Sequence, residues 1–177
     1  LRVLEQGGSL VVASSIGGNV ALAGTKGSVT LRTVGGSLKA VEVQGPLATG
    51  AIGGDATVQE SRDSVELGDV AGGVRIRESA GAVTMNGTIG SDLTIHAARG
   101  AVIVQGGVAG SLRAGDTRGG LQVRQTVGGD WIQLLIDGLS LEWVQRKYVS
   151  VLTQQENQTY KYVSRLKEIV RDTRKVR

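Results

Sequence analysis

Apolar residues in this chain fall in i, i+2 pairs that return at near-constant intervals. One series of pair starts runs Leu10, Val29, Leu47, Val65, Val83, Val102, Leu121. A second runs Val20, Leu38, Ala56, Val74, Leu93, Leu112, Trp131. Steps within each series are 18 or 19 residues, and the two interleave at nine or ten. Most members have an apolar partner two places on, among them Val12, Leu31, Leu67 and Met85, or Leu22, Val58, Ile76 and Ile95. That spacing marks a strand with one buried face. Each nine-residue unit therefore predicts one short strand and a turn, and its fixed repetition predicts an all-β fold, a β-solenoid or parallel β-helix.

The two units of a coil differ. After the first series a third apolar residue follows at five or six places: Ile16, Val34, Ile52, Val70, Ile89, Val108, Val127. The matching places in the second series hold small or polar residues such as Thr25, Ser61, Ser79 and Thr117. The true repeat is thus a coil of 18–19 residues, about seven of them, with one corner filled by Val or Ile. Glycine pairs follow that corner, as in "IGG" at 16–18 and 52–54. A side chain there would crowd the neighbouring coils, and glycine also tolerates the positive φ that corners often need. Seven coils stack into a rod of roughly 34 Å.

Composition divides the chain near residue 130. Residues 1–130 hold 27 of the 28 glycines, 11 Lys+Arg against 11 Asp+Glu, and no aromatic residue. Residues 131–177 hold every aromatic, Trp131, Trp143, Tyr148, Tyr160 and Tyr162, and the whole net charge of +4. The expected layout is a solenoid over 1–130, an apolar and aromatic cap over 131–152, and a basic amphipathic helix over 153–177. Trp131 takes the inward slot of Leu112 in this scheme, and "WIQLLIDGLSLEW" then abandons the period. Trp131 and Trp143 are the expected plug of the core. Thr153 and Glu156 have capping-box spacing. Tyr162, Val163, Leu166, Ile169, Val170 and Thr173 make one apolar stripe, and Arg171, Arg174, Lys175 and Arg177 suit the helix's negative end. At the other end, Leu1 and Val3 match the inward pair Val20/Leu22 one coil on, so the first coil carries no visible cap. Either residues preceding Leu1 have been removed, or that end meets another chain.

Chemistry is sought with little return. Without cysteine there is no disulfide framework and no thiolate metal site. No run of 18 apolar residues offers a membrane span. Calcium-binding nonapeptide rolls share the nine-residue period, but "GGSLKAVEV" and "GGDATVQES" put Ala40 and Val58 where the liganding Asp belongs. A six-residue reading, as in hexapeptide acyltransferases, puts Ser28, Pro46 and Ser64 inside and leaves Val29 and Val65 out. The single histidine, His96, follows inward Ile95 and so faces solvent. The outward column Thr30, Ala48, Glu66, Thr84, Ile103, Gln122 lacks the carboxylate cluster of polysaccharide lyases. The glycine corners lack the dinucleotide and P-loop spacings. No catalytic, cofactor-binding or metal-ligating residue and no cofactor are expected.

One outward column, Ala21, Lys39, Thr57, Arg75, Thr94, Arg113, is mildly basic, with Arg77 beside it. Such charges keep a flat sheet soluble. A polyanion lying along Lys39, Arg75, Arg77 and Arg113 is the sharper alternative. Nucleic acid is not an expected partner, because the body has no aromatic platform for bases. The helix has three readings: packing on the rod, joining a partner or its own copy, and, weakest, contact with an anionic membrane surface.

The stretches "GSVTLRTVGGSLKAVEV" and "GGVRIRESAGAVTMNGTIGSDLTIHAARGAVIVQG" resemble the bacterial adhesin family of β-solenoid domains. They are similar, more loosely, to bactofilins, the polymer-forming solenoids of bacteria. The likeness covers residues 1–130 and implies a non-catalytic scaffold, with surface attachment in one case and filament formation in the other. The aromatic cap and basic helix depart from the bactofilin pattern. The expectation is a non-enzymatic assembly module that forms a homo-oligomer or larger protein assembly. Its contacts are Leu1, Val3 and Leu10 at one end and Tyr162, Val163, Leu166 and Ile169 at the other. A cell-surface adhesin or glycan-binding rod is the alternative, and bacterial cytoplasm and cell surface both stay open.

Overall fold

In the computed structural model, every expected inward pair up to residue 130 falls on a strand. The structure describes residues 1–145 apart from Gln6, Asp116, Asp130 and 137–138, with side chains described up to residue 129. The first strands are β1 (Arg2–Leu4), β2 (Leu10–Ile16), β3 (Val20–Thr25), β4 (Val29–Val34) and β5 (Leu38–Val43). Then come β6 (Leu47–Ile52), β7 (Ala56–Ser61), β8 (Val65–Leu67), β9 (Val74–Ser79) and β10 (Val83–Met85). The series continues with β11 (Leu93–Ala98), β12 (Val102–Val104), β13 (Leu112–Gly115) and β14 (Leu121–Val123). It closes with β15 (Trp131–Ile136) and β16 (Leu139–Gln145).

Odd strands from β1 to β15 stack in one parallel sheet, and even strands from β2 to β14 in a second. Each coil contributes one strand to each sheet, which makes a β-solenoid. The register follows the period: Val20↔Leu38, Leu38↔Ala56, Ala56↔Val74 and Val74↔Leu93 in the first sheet. The third apolar corner forms its own ladder from Ile16 through Val34 and Ile52 to Val127. Together these columns are the core, which is almost wholly buried from Val20 to Val127.

The second corner is buried as well, which the sequence pattern does not announce. Thr25, Val43, Ser61, Ser79 and Ala98 stack in register inside the rod, and Thr117 is buried too. Ser61 Oγ donates to the Asp63 carbonyl at 3.0 Å and Ser79 Oγ to that of Gly81 at 3.2 Å. The two serine hydroxyls thus satisfy themselves on their own turn, whereas the buried Oγ1 of Thr25 has no hydrogen-bond partner.

Positive φ sits elsewhere than expected. Among the described residues the glycine pairs that follow the Val/Ile corner have none, whereas Glu5, Gly24, Glu42, Glu60, Glu78 and Ala97 have φ between 52° and 64°, and Gly120, before β14, has 86°. The first six occupy one vertical column, just before the second corner. The glycine pairs serve space instead. A Cβ on Gly35 would lie 2.8 Å from the Gly17 carbonyl oxygen, and one on Gly53 would overlap the carbonyl of Gly35. Between them, side chains tie coil to coil. Asn19 Oδ1 accepts the Ser37 N–H at 2.8 Å, and Asp55 Oδ1 accepts that of Gly73 at 2.8 Å. Asp92 Oδ1 accepts the Ser111 N–H at 2.7 Å.

One core position breaks the chemistry of its column. Thr49 stands between Leu31 and Leu67, and its buried Oγ1 has no hydrogen-bond partner. An unsatisfied buried hydroxyl costs about 1–3 kcal/mol. Thr49→Val keeps the shape and removes that cost, so it should raise stability by about 1 kcal/mol. The midpoint of urea unfolding checks this, with the outward Thr30→Val as a control that should leave it nearly unchanged.

At the C-terminal end the period does stop, but one residue later than expected. Ile132, not Trp131, pairs with Leu112, so Trp131 does not take the Leu112 register slot. The ladder Val108↔Val127 is intact, so the extra residue enters between Val127 and Ile132. β16 then returns antiparallel on β15, a hairpin added to the parallel stack. The side chains of Trp131 and Trp143, and the expected helix with Tyr162, Val163, Leu166 and Ile169, lie outside the described residues.

Candidate functional site

Three surfaces of the rod are open to a partner: its N-terminal end and the outer faces of its two sheets. At the end, β1 and β2 are the outermost strands of their sheets. Val3 pairs with Leu22, and the carbonyl of Leu1 accepts the Ala21 N–H, so both take the register the sequence assigns. Val3, Leu10, Val12 and Ile16 are only half-buried against the core. Leu1, Leu4 and Val11 are 50%, 55% and 66% exposed. Its strands are also blunted: β1 has 3 residues, and β2 carries a register shift between Val12 and Ser15. Short and bulged edges resist continuation of a ladder. This end therefore offers apolar side chains more than free backbone.

On the first sheet the basic column lies where its alternation puts it. Lys39, Arg75 and Arg113 are exposed and in register, with Thr57 and Thr94 between them. Arg77 stands on the next outward column with Gln59 and His96 as neighbours. His96 is exposed, as its position after Ile95 requires. Arg2 heads the same basic column through its pairing with Ala21. Cations thus recur at every second coil, about 9.6 Å apart along the rod.

Sequence reasoning missed what flanks them. Glu5, Glu42, Glu60 and Glu78, the left-handed residues, are all exposed and form an acidic column at the edge of the same face. The signal was available: Arg2/Glu5, Lys39/Glu42 and Arg75/Glu78 are basic–acidic pairs three residues apart, spaced 37 and 36 residues along the chain.

The second sheet's outer face carries Thr30, Ala48, Glu66, Thr84, Ile103 and Gln122 in one register, with a single carboxylate. At a corner beside it, Asp69 Oδ1 accepts from Thr88 N–H at 2.8 Å and Thr88 Oγ1 at 3.0 Å. These bonds hold the Asp69 carboxyl below its ordinary range, because they favour the charged form. The contact ties two coils together and points to no ligand. Among the described residues, no three His, Cys, Asp or Glu side chains are grouped to hold a metal ion. No family model, curated protein or solved structure matches this chain.

Proposed function

We propose that this protein is a non-enzymatic structural module, a rigid β-solenoid that joins an assembly through protein contacts. The observation that carries the reading is the apolar surface of the first described coil. There Leu1, Leu4 and Val11 are exposed, and four further apolar side chains are half-buried. An apolar patch on the end of a rod is a place for another protein surface. The 153–177 segment, with Tyr162, Val163, Leu166 and Ile169 as a helical stripe, is the second contact in this reading. A rod with one adhesive end yields only closed pairs, whereas two different contacts allow larger species.

Sedimentation velocity of the full chain across a wide concentration range tests this. Association that Leu10→Asp weakens, and that Leu166→Asp/Ile169→Asp reduces to pairs, is the expected result. A chain that stays monomeric at every concentration overturns the assembly reading. The adhesin or glycan-binding rod then takes its place, supported by the cation column Lys39, Arg75, Arg77 and Arg113.

A further inference from the structure

The outer face of the first sheet carries opposite charges on two columns of the same coils. Arg2, Lys39 and Arg75 are exposed on one column, and Glu5, Glu42 and Glu78 on the other, three residues further along each coil. Three residues of extended chain separate the columns by roughly 10 Å. Between them runs Leu4, Ala23 and Val41, apolar and at least partly exposed. The coils in between carry Ala21 with Gly24, and Thr57 with Glu60.

We infer that this face is a docking surface for a second copy of the chain, with the two rods side by side and parallel. A two-fold axis lying between the faces and along the rods maps one column onto the other without axial shift. Arg2 then meets Glu5 of the second copy, Lys39 meets Glu42, and Arg75 meets Glu78. Each of these three pairs forms twice by symmetry. An antiparallel pair would instead set the cation column on its own copy, where like charges repel. Sheets packed face to face stand about 10 Å apart, a gap that Lys, Arg and Glu side chains span from both sides. The apolar column Leu4, Ala23, Val41 lies close to the axis and fills the centre. The central column continues through Gln59 to Arg77, so Arg77 approaches its own copy across the axis, one like-charge contact against the opposite-charge pairs, and Glu60 is an anion one coil away.

The acidic column also costs the fold something. A non-glycine residue in the left-handed region is strained where glycine is not. Gly24 occupies the same column, so glycine is accepted there. Glutamate at 42, 60 and 78 is therefore not explained by the turn. A partner with cations at matching height explains it. The flanking carboxylates equally disfavour a linear polyanion, whose charges would run along them.

This inference rests on the assembly reading but uses the flank of the rod, which shares only Leu4 with the end contact, and the variants below leave Leu4 in place, so the two fail separately. The decisive variant is Glu42→Gly/Glu78→Gly, which removes charge while relieving strain. It should melt higher than the parent, yet its lateral dimer should dissociate at a concentration roughly tenfold higher or more. Lys39→Glu/Arg75→Glu should lose self-association similarly, and mixing it with Glu42→Lys/Glu78→Lys should restore a 1:1 pair. The chain has no cysteine, so Val41→Cys with a short bismaleimide reports orientation, and parallel pairing yields a covalent dimer. Sedimentation at low and high salt is the readout. If neither charge set changes association while Leu10→Asp does, the face is not an interface and the end contact stands alone. A parent that is monomeric overturns both. Heparin binding abolished by Lys39→Glu/Arg75→Glu in a monomeric parent would make the face a polyanion site instead.

Discussion

Val74→Asp should destabilise the rod by about 4 kcal/mol and melt several coils together, whereas Thr57→Asp should leave stability within about 0.5 kcal/mol. Val74 is 2% exposed and lies in register between Ala56 and Leu93, both apolar and buried. A carboxylate there must either stay charged without a partner or take up a proton, and both routes cost folding free energy. Because each coil is stabilised by its neighbours, the damage spreads along the stack before it is contained. Thr57 is on the other face of the neighbouring strand, and its register partners are Lys39 and Arg75. Asp at 57 therefore enters between two cations and gains a few tenths of a kcal/mol if anything. Thermal unfolding of the two variants beside the parent checks the pair. Equal shifts would mean that inward and outward have been exchanged.

The strands were legible because their burial is written in apolar residues at a fixed period, and no other constraint competes with it. Leu38, Ala56 and Val74 need only their spacing to be placed. The second corner was not legible as an interior column. Thr25, Ser61 and Ser79 are small enough to fit inside, and the two serines satisfy their hydroxyls on their own turns, so the column carries no apolar signal. The left-handed column was hidden for the opposite reason. Glutamate has no preference for that conformation, so Glu42, Glu60 and Glu78 look like ordinary surface charges. The same blindness hid half of the charged face. Lys39 and Arg75 follow the i, i+2 alternation, while their acidic counterparts stand three residues on, outside it. Trp131 was misplaced by one step because nothing between Val127 and Ile132 distinguishes a turn of four from a turn of five.

The glycine corners separate crowding from backbone freedom in one experiment. Gly17 and Gly53 are the first glycines of the same "IGG" corner in different coils. Around Gly17 a Cβ meets nothing within 4 Å. At Gly53 a Cβ meets the carbonyl of Gly35, which belongs to a ladder whose Gly53 N–H to Val34 carbonyl bond is 2.7 Å long. Backbone held on both sides cannot step aside as a flexible side chain would, so the coils must separate locally. Gly53→Ala should therefore cost about 2 kcal/mol, the range of an overpacked core. Ala71 and Ala109 occupy this column in other coils, so the stack adjusts and unfolding is not expected. Gly17→Ala should be neutral or raise stability by up to about 1 kcal/mol, since it restricts only the unfolded chain. Urea midpoints of the two variants decide the matter. Losses of equal size would assign both glycines to a conformation alanine cannot adopt, contrary to the absence of positive φ at either residue. A loss at Gly53 alone places the requirement in the distance between coils, and with it the reason the corner repeats.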